Sequence, residues 1–87
     1  MNIDQHNLTQ PSINIFATNH NVITTSYGRY FTSYDSVIVF LPNDSSTIYL
    51  GADWKQSPTT SKHRSRFLSY TTKELDSMLL DGRAVML

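Results

Sequence analysis

The stretch Ser36–Gly51, SVIVFLPNDSSTIYLG, decides the fold of this chain. Its run Val37–Leu41 is wholly apolar and rich in β-branched residues, which is typical of a strand buried on both faces near the centre of a sheet. Pro42 ends the run because proline cannot donate to a strand ladder, and the polar cluster after it indicates a turn. Thr47–Leu50 then returns as a partner, so the stretch predicts a β-hairpin.

The residues before the hairpin predict further strands. SINIFATN (12–19) alternates isoleucine with asparagine and predicts a strand, NHN (19–21) predicts a turn, and VITTSYG (22–28) predicts a second strand that ends at Gly28. The segment RYFTSY then leads into the central run. Asp35-Ser36 leaves three alternatives open, namely a tight turn or a bulge between two strands, or a kink in one long strand.

Two helices are predicted after the hairpin. Ser57 and Pro58 give a start signal, because serine caps free N–H groups and proline at the first helical position loses no hydrogen bond. We therefore expect a helix over about 58–69. Thr71 and Glu74 then form a capping box, in which each side chain accepts a hydrogen bond from the main-chain N–H of the other residue.

The end of the chain predicts how the fold closes. Leu75, Met78 and Leu79 share one helical face, and Gly82 suits the left-handed position after a helix. The last five residues, RAVML, predict a closing strand. This order of elements predicts an α+β fold, a small and largely antiparallel sheet with two short helices from the C-terminal half packed on one face.

Length and composition restrict the function classes. The chain has 87 residues, a formal net charge of zero and no cysteine. It is long enough for one domain, which we place at 12–87, and the polar residues 1–11 predict a loose N-terminal arm. Zero net charge gives no overall attraction to nucleic acid or membranes, and the lack of cysteine excludes zinc–thiolate sites. With no signal-peptide pattern and no apolar run of about 20 residues, we expect a soluble, intracellular protein without membrane contact.

No pattern in the sequence indicates catalysis. His6, His20 and His63 have no metal-ligand spacing, and the acidic residues fall mostly at turns and helix caps. Ser57, His63 and Asp53 can be arranged as a triad on paper, but only geometry defines a triad. We therefore expect no enzyme activity, no cofactor and no metal site.

The segment DWKQSPTTSKHRSRF (53–67) concentrates positive charge, with four of the seven lysine and arginine residues. At about 100° per residue, Lys62 and Arg66 share the outward face of the predicted helix. The pair Phe67–Leu68 faces the core. Arg64 lies on this inward side, so we expect its stem to cover apolar surface while its guanidinium reaches an edge or an acid.

Two interpretations of this basic edge stay open. Lys55, Lys62 and Arg66 could bind nucleic acid, with the helix N-terminus and the aromatic ring of Trp54 close by. Alternatively, they only solvate the outer face while Trp54 anchors the preceding loop in the core. The second interpretation fits the zero net charge better, because nucleic-acid binders usually carry a basic excess.

The same region resembles a group of small proteins carried by bacteriophages and prophages. The shared pattern has an aromatic pair and Ser-Tyr before a buried strand, and then a tryptophan, S-x-T-T-x-K and Phe-Leu after the hairpin. Its matching residues, within 29–87, are Tyr30, Phe31, Ser33, Tyr34, Trp54, Ser57, Thr59, Thr60, Lys62, His63, Phe67 and Leu68.

The resemblance implies an accessory protein that acts in the cytoplasm of a bacterial host. Such proteins commonly bind and block a host protein or complex, including defence components such as CRISPR effectors or restriction enzymes. We therefore expect a non-enzymatic inhibitor or modulator. Its anchors would be the exposed aromatics among Tyr27, Tyr30, Tyr34, Tyr49 and Tyr70, with Tyr30 and Tyr34 as the candidate binding residues. A nucleic-acid-binding protein that uses the basic edge of the 58–69 helix is the alternative, and a homodimer is compatible with both.

Overall fold

The six strands of the sheet lie side by side in the order in which they occur along the chain. The computed structural model describes residues 12–87, so the predicted arm 1–11 lies outside the described residues. The elements are β1 (Ser12–Ala17), β2 (His20–Thr24), β3 (Gly28–Ser33), β4 (Ser36–Pro42), β5 (Ile48–Leu50), α1 (Pro58–Leu68), α2 (Thr72–Asp81) and β6 (Ala84–Met86). Neighbouring strands pair antiparallel except β5 and β6, which are parallel because the helices form a crossover between them. The predicted α+β fold with a closing C-terminal strand is confirmed.

Two hairpin turns contain a non-glycine residue with positive φ. The β1–β2 turn has Asn19 at φ 62°, and His20 already belongs to β2, so this turn lies earlier than the predicted 19–21. The β3–β4 turn has Tyr34 at φ 53°, with Asp35 beside it. Of the alternatives for Asp35-Ser36, the structure has a tight turn between two strands, and Ser36 begins β4.

The predicted strand 22–28 is shorter than expected. It ends at Thr24, because the hydroxyl of Thr25 accepts hydrogen bonds from the main-chain N–H groups of Tyr27 and Gly28 and stabilises a chain reversal there. Gly28 therefore begins β3 instead of ending β2.

A β-bulge interrupts the regular alternation of side chains in β4. Phe31 of β3 pairs with Val39 and Thr32 pairs with Val37, so Ile38 is the extra residue. Ile38 and Val39 are both buried, which strict alternation on a sheet covered on one face would not allow. The bulge therefore accounts for two adjoining buried residues. The predicted burial of the run on both faces is wrong, because Phe40 is only half-buried and lies on the face without helices.

The hydrophobic core lies between the sheet and the two helices. Phe31, Val39 and Leu50 are opposite one another on three neighbouring strands and are fully buried. Phe67 of α1 stacks on Phe31 with ring centroids 5.0 Å apart. The loop before α1, both helices and the outer strands complete this core with Trp54, Leu68, Leu75, Met78, Leu79 and Ala84. Both helices therefore pack on the face of the sheet that carries Phe31.

Helix α1 begins as its sequence indicates. The Ser57 hydroxyl accepts a hydrogen bond of 3.1 Å from the main-chain N–H of Thr60, and Pro58 occupies the first turn. The helix ends at Leu68 because Ser69 adopts a left-handed conformation with φ 63°, so it is slightly shorter than the predicted 58–69.

Helix α2 has the predicted capping box. The Thr71 hydroxyl accepts from the N–H of Glu74 at 3.1 Å, and the Glu74 carboxylate accepts from the N–H of Thr71 at 2.8 Å. Gly82 follows the helix with φ 87°, a conformation that glycine adopts without steric cost. Among the described residues, no helix combines the length and apolar character that a membrane crossing requires.

Candidate functional site: the open face of the sheet

Strand pairing aligns six apolar side chains in one row across the whole sheet. From β1 to β6, the successively paired residues are Ile13, Ile23, Tyr30, Phe40, Tyr49 and Val85. Directly paired residues point to the same face, and neighbours along a strand point to opposite faces. Because Phe31 and Leu50 face the helices, the adjoining Tyr30 and Tyr49 face away from them. We call the surface formed by this row the open face.

The centre of the open face is an aromatic stack. The rings of Tyr30 and Phe40 have centroids 4.5 Å apart with their planes at 27°, and Tyr49 lies 6.0 Å from Phe40 on the other side. These three side chains are half-buried by one another and by their neighbours. At the two ends of the row, Ile13 is 64% exposed and Val85 is 41% exposed. The row is therefore apolar from end to end and has an aromatic centre, while Asn21 and Thr32 lie beside it on the same face.

The open face carries no charged side chain from the described strands. Arg29 is the only lysine, arginine, aspartate or glutamate within those strands. It points to the helix side, where its guanidinium carbon lies 5.6 Å from the centroid of the Phe67 ring. An uncharged, aromatic surface of this kind matches the buried centre of a protein–protein interface.

The predicted tyrosine anchors do not all share one surface. Tyr30 lies at the centre of the open face. Tyr34 is 70% exposed at the β3–β4 turn and lies near His20 on the helix side, with ring centroids 6.5 Å apart. Of the five predicted anchors, only Tyr30 and Tyr49 therefore belong to the apolar row.

The three predicted basic residues lie on the helix side. The Nζ atom of Lys55 forms an ion pair of 3.2 Å with Asp76 of α2. Lys62 and Arg66 are exposed on α1, and the Arg66 guanidinium lies 5.9 Å from the ring centroid of Phe16. The sheet separates these cations from the open face, so the aromatic row and the basic edge do not form one nucleic-acid site.

Arg64 points inward as predicted but does not reach an acid or the surface. Its side chain is fully buried, and Nη1 donates to the main-chain oxygen of Trp54 at 2.6 Å. Nη2 donates to the hydroxyls of Ser65 and Thr72. Burial lowers the pKa of Arg64, and the nearby Asp76 carboxylate opposes that shift. Hydroxyl and carbonyl oxygens therefore take the place of the acid that the sequence suggested.

Two histidines pack together between the sheet and α1, with His20 buried and His63 half-buried. The rings of His20 and His63 have centroids 4.7 Å apart. The Nδ1–H of His20 donates to the carbonyl of Thr18 at 2.7 Å, so Nε2 can accept from the Thr60 hydroxyl at 3.3 Å. The Ser33 hydroxyl lies 3.1 Å from that of Thr60 and extends the network.

The environment of His63 favours its neutral form. Its Nδ1 atom is buried and has no hydrogen-bond partner among the described residues. Burial lowers the pKa of His63, and electrostatic repulsion involving His20, Arg66 and Lys62 lowers it further. Protonation of His63 in acid would therefore disturb its packing against the His20 ring.

The catalytic triad that the sequence allowed for Ser57, His63 and Asp53 does not form in the structure. Ser57 caps α1, Asp53 accepts a hydrogen bond of 3.2 Å from Ser36, and the His63 ring packs against His20. Ser57 and Asp53 do share a polar cleft of about 240 Å³ with neighbouring hydroxyl groups, but His63 does not line it. Within residues 12–87, no three His, Asp or Glu side chains are grouped as metal ligands.

Most of the open face was not predicted from the sequence. Ile23, Phe40 and Val85 were assigned to strands but to no functional surface. The available signal was the apolar alternation within single strands. That signal becomes a surface only when the register between strands is known, because a slip of one residue moves every side chain to the other face.

A family model described as a family of unknown function (DUF8033) matches residues 1–81 of the chain. No curated protein and no solved structure matches this chain. The match covers nearly the whole sequence, and the description of the family gives no activity.

Proposed function

We propose that this chain, which belongs to the family of unknown function DUF8033, is a non-enzymatic protein that docks on another protein through the open face. The observation that carries the proposal is the uncharged row from Ile13 to Val85, centred on the stacked rings of Tyr30 and Phe40. Large apolar surfaces on a small protein mark interaction sites, and rigid aromatic side chains supply binding energy at low entropic cost.

The chemistry of the face favours a protein partner over nucleic acid. Aromatic rings on a sheet can stack on unpaired bases, but such sites also need cations that neutralise the phosphates. The nearest strand cation, Arg29, is turned to the helix side over Phe67. A partner that brings apolar side chains would fill the open face without leaving a charge unpaired.

The resemblance to phage accessory proteins supplies the host-directed part of the proposal. On that basis, the partner is a protein of a bacterial host, such as a CRISPR effector or another defence component, and the chain inhibits or modulates it in the host cytoplasm. Docking alone is enough for such a function, because covering an active or regulatory surface requires no chemistry from the inhibitor.

The experiment compares three forms of a tagged chain in lysates of a bacterial host. Tyr30→Lys places a charge at the centre of the open face, where the lysine stem still covers Phe40. Leu80→Lys is the matched control, because Leu80 is 91% exposed on α2, on the helix side. We expect the wild type and the Leu80 variant to retain the same host protein and the Tyr30 variant to lose it.

A functional readout uses the same variants in bacteria with an active CRISPR or restriction system. Expression of the wild type should raise the plating efficiency of a targeted phage, and Tyr30→Lys should abolish that effect while Leu80→Lys preserves it. Circular dichroism must show that both variants fold. Equal capture and equal plating by the two folded variants would contradict docking through the open face.

A further inference from the structure

The two edges of the sheet are protected to different degrees. The β6 edge is three residues long, and an ion pair of 2.8 Å between Asp81 and Arg83 lies just before it. The β1 edge is twice as long, has no charged residue, and exposes Ile15 by 82%. Natural proteins protect sheet edges with short strands, charges and proline, because an exposed apolar edge pairs with another strand. Among residues 12–87, β1 pairs only with β2 and has no charge within the strand, so of the two described edges it is the one suited to pairing.

The sequence of β1 is suited to pairing with itself. Around Asn14 it reads Ile13-Asn14-Ile15, which is symmetrical about its central residue. We propose that a second copy of this chain adds its β1 strand antiparallel to β1, about a two-fold axis that passes beside Asn14. This pairing joins two six-stranded sheets into one.

In the proposed register, side chains of the same type lie opposite each other on both faces of the joined sheet. Ile13 of each copy lies opposite Ile15 of the other copy, so four isoleucines form one apolar cluster at the seam. Asn14 lies opposite Asn14 of the second copy on the helix side, where two amides can donate to and accept from each other. Because β1 has no charged residue, the two-fold axis brings no like charges together.

The irregularity in β1 sets the limit of the pairing. The register with β2 shifts between Ile15 and Ala17, because Phe16 turns into the core and packs on Phe31 with ring centroids 5.4 Å apart. The second copy therefore pairs over residues 12–16, where Ser12 lies opposite Phe16 and adds little bulk. This inference concerns the edge of the sheet and does not depend on the proposed host partner. Such a dimer would join the open faces of the two copies into one surface.

Oligomeric state gives the first test. Sedimentation velocity of the full chain over a range of concentrations should show a monomer–dimer equilibrium. Ile15→Lys should raise the dissociation constant by roughly tenfold or more, because two apolar cross-strand pairs are lost and two lysines are brought to the seam. Val85→Lys, on the opposite edge of the open face, should leave the dissociation constant unchanged.

Single cysteines give the second test, which remains informative if Ile15→Lys fails to fold. The chain has no cysteine of its own. In the proposed register, Asn14→Cys brings two sulfurs together across a pair with Cα atoms roughly 5 Å apart, within the range of a disulfide. Ser12→Cys separates the two cysteines by four residues along the strands, roughly 14 Å.

The outcomes separate the alternatives. Rapid dimer cross-linking of Asn14→Cys under mild oxidation, with little cross-linking of Ser12→Cys, supports the pairing. A wild-type chain that stays monomeric at all concentrations overturns it. A dimer that persists in Ile15→Lys, or that cross-links equally through both cysteines, also overturns it and indicates contact through another surface.

Discussion

Arg64 donates a hydrogen bond of 2.6 Å to the main-chain oxygen of Trp54, and its guanidinium carbon lies 5.0 Å from the centroid of the Trp54 ring. The same guanidinium donates to the hydroxyl of Thr72, the first residue of α2. One buried side chain of α1 therefore holds the preceding loop and the next helix together. We therefore expect the half of the chain that contains the helices to depend on this contact.

Truncation of this side chain should destabilise the protein strongly. Arg64→Ala leaves a cavity and removes the donors for the Trp54 carbonyl and for Thr72, so we expect a loss of about 3 kcal/mol or more in the free energy of unfolding. Urea denaturation measures this loss. Arg66→Ala is the matched control, because Arg66 is exposed on the same helix, and it should cost less than about 1 kcal/mol. Equal losses in the two variants would show that the Arg64 contacts contribute little.

The contrast between Arg64 and the open face shows what the sequence could predict. Helical periodicity placed Arg64 on the inward side of α1, because the position of a residue on a helix depends only on its neighbours in sequence. Its acceptors come from the loop and from α2, so they depend on the packing of separate elements. The guanidinium was expected to reach an edge or an acid, but it is fully buried and contacts main-chain and hydroxyl oxygens.

The same distinction applies to the sheet. Capping residues predicted both helices closely, and the apolar run predicted the central strand. The row through Tyr30 and Phe40 required the pairing of six strands, including the bulge at Ile38 that shifts the register. Local sequence does not encode that shift, because a bulge is stabilised by the side chains that it buries.

Acid should destabilise the protein through His63. The folded state lowers the pKa of His63 below its ordinary value of 6.5, so the unfolded state binds the proton more readily. The stabilising effect is therefore complete above about pH 6.5 and is lost as the pH falls toward the folded pKa. His63→Gln should flatten the dependence of the urea midpoint on pH between about 7 and 5.

A control variant refines this pH experiment. Lys62→Gln removes one positive charge that lowers the pKa of His63, so an NMR titration of the imidazole should show a higher pKa than in the wild type. If the pH dependence of stability is identical in the wild type and in His63→Gln, other groups are responsible for the acid sensitivity.

The close approach of Gly51 to β4 should be intolerant of any side chain. The Gly51 N–H donates to the carbonyl of Ile38 at 2.9 Å, and a Cβ atom at Gly51 would lie 1.8 Å from the carbonyl oxygen of Val37. Gly51→Ala would push the loop away from β4, and we expect a loss of about 3 kcal/mol or more. At Gly82 a Cβ atom would meet nothing within 4 Å, so Gly82→Ala should cost only the strain of positive φ, about 1–2 kcal/mol. Thermal unfolding of both variants tests this order of stability losses. A larger loss in Gly82→Ala than in Gly51→Ala would contradict it.

Removal of the basic edge should affect partner capture less than a change in the open face. Lys62→Glu combined with Arg66→Glu reverses both exposed charges of α1, while Tyr30→Lys changes the open face on the other side of the sheet. Since docking depends on the apolar row, we expect the double variant to capture the host protein as the wild type does.

A gel-shift assay with single-stranded and duplex DNA over a range of salt concentrations addresses the alternative function. Binding that weakens steeply with salt and is lost in the double variant would favour nucleic-acid binding, because each phosphate contact releases a counterion. Binding to a host protein that disappears in Tyr30→Lys and survives in the double variant would leave the open face as the functional surface.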